Sequence, residues 1–150
     1  MALAITTVTN SIAALSVSGV RICDVDEIPT TADLDRGPTL YPEPVGFVQS
    51  LIVERDSTCV ASLAKKHATY VLRYTFAYHR DGMARDLPAL YAGAVDKAAD
   101  VLDALIANDT ITGAINITPS ISGGFGPVAS PDGNLFIGCI INIEVLEFIN

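Results

Sequence analysis

The residues best suited to bond-making are two histidines and three cysteines, and their spacing keeps them apart. His67 and His79 stand twelve positions apart on one run of β-forming residues, hence roughly 40 Å apart if that run is extended at about 3.3 Å per residue. They cannot share a metal ion. Cys23, Cys59 and Cys139 show no C-x-x-C spacing, and an odd count leaves at least one thiol unpaired in any disulfide scheme. Reduced thiols in a cytosolic compartment fit this pattern. A Cys–His nucleophile pair would need a tertiary contact that no surrounding motif announces.

Three other groups invite a chemical reading. Asp24, Asp26 and Glu27 look like part of a divalent-cation loop, but the glycine and later glutamate that an EF-hand loop places at fixed offsets are missing. A solvated loop, or a charged contact for a basic patch on a neighbour, remains. The stretch Ser122-Gly123-Gly124-Phe125-Gly126-Pro127 lacks a phosphate-binding spacing and leads into a turn and strand, where such motifs need a helix N-terminus. Phe125 within it either plugs the edge of its own core or docks on a partner. Tyr70, Tyr74, Phe76 and Tyr78 share one strand face, yet a base-stacking platform comes with a basic groove. Only Lys65, Lys66, Arg73 and Arg80 lie near them, which favours a core or subunit-interface face. No catalytic, metal or cofactor set emerges, and the chain is not expected to be an enzyme.

Composition narrows the classes further. At 150 residues, half of them apolar, the chain has the size and core-forming capacity of one domain, expected over 1–150. A net charge of −8 argues against a partner held by phosphate neutralisation. No apolar run approaches the roughly 20 residues of a membrane-spanning helix. The first nineteen residues end in small side chains as a secretory signal does, but Thr6, Thr7, Thr9 and Asn10 break their middle and the first positive charge is Arg21. Without secretion the sequons at Asn108 and Asn116 carry no glycan.

The elements that position these residues follow from periodicity. Leu3, Ile5, Val8, Ile12 and Leu15 mark a short amphipathic helix. Val20 to Cys23 reads as a short strand, and Asp24 to Pro44, with four prolines, as an extended loop with a brief strand at Thr39 to Tyr41. Phe47–Glu54 and the alternating run Lys66–His79 predict a hairpin, with Arg55 to Lys65 as an exposed loop. Asp86 as cap, Pro88 in the first turn, and Leu90, Ala94, Ala98, Val101 and Leu105 on one face predict the best helix. A second hairpin pairs Ala114–Ser122 with Leu135–Ile149 across a turn-rich segment. The longest strands exceed the usual five or six residues, so they project or bend at a bulge. The expected class is α+β: a mainly antiparallel sheet of about four to five strands, with two hairpins, packed with two helices.

The N-terminal helix followed by GVRICDVDEIPTTADLDRGPTLYPEPVGF, the strand ATYVLRYTFAYHR, the helix DLPALYAGAVDKAADVLDALIAND and the closing FIGCIINIEVLEFIN together resemble small tail-terminator or tail-completion proteins of long-tailed bacteriophages. The resemblance spans nearly the whole chain and rests chiefly on the turn at Asp26 to Pro29, the segment Gly37 to Pro44, and the helix-then-hairpin ending. It implies a virion subunit, assembled in the host cytoplasm, that forms a ring, a homohexamer, at the head-proximal end of the tail tube. Such a ring ends tube growth and offers a docking face to the neck. DNA would pass through it unbound, and acids lining the lumen would reduce adhesion of the polyanion. Neck or head-completion proteins bridging portal and tail share this size and order. A small cytosolic enzyme would need a pocket with convergent polar groups, and a ligand-binding module would use Phe125 and the tyrosine face. The candidate assembly contacts are Asp24, Asp26, Glu27, Leu40, Tyr41, Pro42, Thr58, Lys65, Lys66 and Phe125, all in irregular or loop-flanking segments.

Overall fold

Strict alternation of Ala68, Tyr70, Leu72, Tyr74 and Phe76 places these five side chains on one strand face, and all are fully buried. Their strand is the spine of the molecule. The computed structural model describes residues 3–55, 66–80, 87–112 and 114–149. Among these the chain runs α1 (Ile5–Ala13), β1 (Arg21–Ile22), α2 (Thr31–Leu34), β2 (Thr39–Pro42), β3 (Val48–Arg55), β4 (Lys66–Arg80), α3 (Leu87–Ala107), β5 (Thr110–Ile111), β6 (Ile115–Ala129) and β7 (Leu135–Ile149).

All seven strands join one curled sheet in the order β1-β2-β4-β7-β6-β5, with β3 also beside β4. β2 pairs with Tyr74 to Ala77 and β3 with Lys66 to Leu72, so the two divide one edge of β4 between them. The expected pairing of β3 with β4 and of β6 with β7 is found, both antiparallel. On the inner face α3 buries Ala94, Ala98, Val101 and Leu105, and α1 buries Val8, Thr9 and Ile12. Burying Val101 and Leu105 contributes roughly 1.5–3 kcal/mol each. That burial, more than intrinsic propensity, holds the helix in place. Beside this core, the buried carboxylate of Glu147 accepts from the Ala4 amide at 3.0 and 3.2 Å and from the Tyr70 hydroxyl, tying the start of α1 to β7.

The expected α+β class with four to five strands and two helices is corrected by this architecture. Among the described residues strand outweighs helix, 49% to 26%, so the fold is predominantly β. The sheet is mixed, because β1 runs parallel to β2. The proline-rich loop is the reason: residues 23–38 form a crossover, and parallel neighbours need about a dozen connecting residues. It carries α2, a third helix announced only by the Thr30/Asp33 capping box. The short strand expected at Val20 to Cys23 is β1, whereas β5, at two residues, is too short for any periodic signal.

Long strands bend here rather than project. β4 stays paired with β7 from Lys66↔Ile149 to Arg80↔Phe136, with a register shift between Ala77 and His79. β6 shifts register between Ser122 and Gly126. The glycine-rich stretch expected to turn is therefore a bulge inside a strand, with Gly123 and Gly124 at φ of 86° and 137°. Both irregularities flank Gly138 of β7, which pairs with Ala77 on one side and Gly126 on the other.

A smaller core occupies the other sheet face, where Cys23, Leu34, Tyr41, Ala77 and Phe136 pack under α2. The β6–β7 turn clamps that helix. Asp132 accepts from the Thr31 amide at 3.0 Å and from the hydroxyls of Thr31 and Ser130, while Asn134 Nδ2 donates to Thr31 Oγ1 at 2.8 Å. At the other end Arg80 grips Asp35 through Nε–Oδ1 (3.1 Å) and Nη2–Oδ2 (2.7 Å), its guanidinium 5.8 Å above the Phe136 ring. Bonds from Ser130, then Thr31, hold the Asp132 carboxyl well below the usual carboxylate range. A depressed folded pKa gives stability that is present above the unfolded value of about 3.9 and lost as pH falls below it. Asp132→Ala is expected to lower the thermal midpoint at neutral pH, with the gap to wild type closing as pH drops below about 4. A gap independent of pH in melting curves would contradict the assignment.

Candidate assembly surface

β3 is the least buried strand of its length: of Val48–Arg55 only Gln49 is even half-buried. Its apolar residues are exposed all the same, Val48 at 39%, Leu51 at 52%, Ile52 at 53% and Val53 at 41%, and Val45 just ahead of them at 87%. The register explains how they reach both faces. Val48 lies opposite Leu72 and Val53 opposite Ala68, on the helix side of the sheet, whereas Ile52 lies opposite Thr69 on the other side. A bulge between Gln49 and Ile52, with Ser50 at φ 56°, inserts the extra residue that shifts the alternation. β3 is paired only with β4, so its second edge carries no strand among the described residues. An apolar open edge is an unstable surface for an isolated subunit and a ready template for association.

Charge surrounds this strand unevenly. Arg55 stands opposite Lys66 at its end, and both are exposed. Glu54 pairs with His67 across the strands at 3.3 Å, and the His67 ring lies 6.4 Å from that of Phe148, itself exposed. The basic end and the apolar stretch are therefore contiguous.

The residues singled out in the sequence separate into three groups. Asp26 and Glu27 are exposed and Asp24 half-buried in a turn closed by Glu27 N donating to Asp24 O at 3.0 Å. Glu27 meets Arg21 at 3.3 Å and Asp24 Oδ1 accepts from the Val25 amide at 2.7 Å, so the three carboxylates do not converge. Lys66 is exposed beside β3. Leu40, Tyr41 and Pro42 are β2 itself and wholly buried, Leu40 in the main core and Tyr41 under α2, where its hydroxyl donates to Ala129 O at 3.0 Å. Their side chains are used within the chain. Phe125 is half-buried and packs against the main core. Thr58 and Lys65 lie outside the described residues, as do Cys59 and Asp86.

Groups that might have carried chemistry are dispersed. Among the described residues no three His, Cys, Asp or Glu side chains are placed to hold a metal ion. Cys23 and Cys139 are buried in different clusters. Burial pushes the Cys139 thiol up to about 12 and also raises Cys23, so neither is a ready thiolate. The cleft of about 540 Å³ between α2 and the start of α3 holds Asp35 and Arg80 already paired with each other, and His79 Nδ1 lies 3.0 Å from the Arg80 carbonyl.

Tyr70 and Tyr74 are fully buried, so the aromatic face is core. Burial, first of all, raises the pKa of Tyr41, Tyr70 and Tyr74, with the Glu147 carboxylate adding to the rise at Tyr70. A folded pKa above the unfolded value of about 10 means stability intact below that pH and lost as pH climbs past it. In an ultraviolet phenolate titration these three are expected to ionise only together with cooperative unfolding. Reversible ionisation of all three near pH 10 in the folded protein would refute their burial.

No protein-family model matches the chain, and no curated protein matches it. No helix among the described residues is long and apolar enough to cross a membrane. The β3 surface was missed in the sequence, although one signal was there: Leu51-Ile52-Val53 is a continuous apolar run in a strand whose neighbours alternate. Such a run marks a strand covered on both faces, and among the described residues β3 is exposed at every position but Gln49.

Proposed function

We propose that this chain is a structural subunit that assembles into a ring, the ring capping the head-proximal end of a phage tail tube, ending its growth and presenting a docking face to the neck. The observation that carries the reading is β3, an open-edged strand with four exposed apolar residues in one run of six. Docking the exposed side chains of such a strand on a neighbour takes apolar surface out of water, which is favourable so long as the free backbone groups of its edge keep water or gain partners. The resemblance to tail-terminator proteins supplies the identity of the assembly. In a ring of heterologous contacts one surface of each copy meets a different surface of the next, and rotation closes the circle. Blocking then needs only that the ring bind the last tube layer more favourably than another tube subunit does.

Pull-down with the chain as bait tests the location. Capture of purified tail tube is expected, and capture of the portal and neck complex alone would move the ring one level higher, to a head-completion role. Capture of neither would refute the proposal.

A further inference from the structure

Helix α3 carries two apolar stripes, of which the core uses one throughout and only Leu102 of the other. Ala94, Ala98, Val101 and Leu105 face the sheet, while Val95, Ala99, Leu102 and Ile106, again at intervals of four, three and four, form a second line along its flank. Val95 is 45% and Ile106 57% exposed, and Leu102 is half-buried. Asp96 and Asp103, both exposed, border this line, while Asp100 turns toward Lys97, 3.9 Å away. Lys97 follows Val95 by two positions, so it lies on nearly the opposite side of the helix. There its Nζ donates to the Ser18 carbonyl at 2.8 Å. The flank bearing Val95 thus faces away from the chain leading into β1.

We infer that β3 of one copy docks on this acid-bordered flank of α3 in the next copy, as the repeating contact of the ring; the inference rests on the assembly reading above. Charge selects the pairing. With a net charge of −8, most surfaces of this chain repel a second copy. β3 ends in Arg55 facing Lys66, and the α3 flank presents Asp96 and Asp103, so strand on helix matches base to acid. β3 against β3 is a self-complementary contact that closes at two copies and builds no ring, and α3 against α3 would oppose four aspartates, a like-charge juxtaposition that costs several kcal/mol. The two patches do not serve each other within one chain. β3 lies beside β4, and the order β3-β4-β7-β6 puts three strand spacings of about 4.8 Å between β3 and β6, the strand α3 contacts most. Complementary patches on different sides of one subunit give the head-to-tail contact that closes into a ring.

Charge reversal tests the contact. One variant carries Asp96→Lys and Asp103→Lys, the second carries Arg55→Glu and Lys66→Glu, and a third carries both sets. Assembly is read by native mass spectrometry of the free protein and by electron microscopy of purified tail tubes incubated with it. Thermal melts first establish that each variant is folded. Each single-set variant is expected to assemble at least about tenfold more weakly than wild type. An equimolar mixture of the two should recover rings with alternating copies, and the third variant should recover them alone. Folded variants that assemble like wild type, or a mixture that stays apart, would overturn this contact and leave ring assembly standing. Wild-type protein forming no ring either free or on tubes would overturn the assembly reading and this contact with it.

Discussion

Gly138→Ala is expected to destabilise the protein by about 3 kcal/mol or more. A Cβ at Gly138 would lie 1.8 Å from the Phe76 carbonyl oxygen and 2.9 Å from its carbon, which is backbone of the central strand and has no rotamer to escape into. The site is where the sheet bends, with register shifts in β4 and β6 on either side of it. Relief would mean parting β7 from β4 next to two buried core residues, Phe76 and Cys139. Gly93→Ala makes the useful comparison. Its Cβ would meet the Tyr78 hydroxyl at 2.3 Å, the far end of a side chain that is only half-buried and able to swing aside. Urea unfolding should therefore rank Gly138→Ala as the more damaging by a wide margin. Equal effects, or a Gly138→Ala midpoint near wild type, would mean that the bend is not as tight as the backbone approach makes it.

The second large effect falls on assembly and spares the fold. Ile52→Lys with Val53→Asp puts charge on both faces of β3, and because both residues are more than a third exposed, the thermal midpoint should stay close to that of wild type. Ring formation should weaken about thirtyfold or more, the scale of losing a central hot spot in an interface. Sedimentation of the variant beside wild type separates the outcomes. Unchanged association would remove β3 from the interface, and a collapse of the melting curve would place these side chains in the subunit's own core.

How much of this was legible depends on the length over which a pattern repeats. Alternation over Ala68 to Phe76 and the four-three-four spacing of Ala94 to Leu105 run long enough to fix both a strand and a helix face, and both are buried as expected. Leu40 to Pro42 carried the opposite message. Flanking prolines suggested an exposed segment, but β2 is buried at all four positions because the helix-side core takes Leu40 and the cluster under α2 takes Tyr41. That second layer depends on a four-residue helix, which has no periodicity to detect. Gly123 and Gly124 misled for a physical reason, since the positive φ that suits a turn also suits a bulge within a strand. The true turn is Ser130–Asn134, where Gly133 sits at φ 94°, a conformation that the pair Asp132-Gly133 suits. β3 was visible as a strand and unread as a surface, because exposure belongs to the tertiary arrangement: it shares its side of β4 with β2 and has no outer strand beside it among the described residues.

The most direct measurement is electron microscopy of tails assembled with and without this chain, scored for length and for density at the head-proximal end. Tails built in its presence should be uniform and carry a ring at that end, and tails built without it should be long, variable and open. Identical length distributions and bare ends in both preparations would contradict the account.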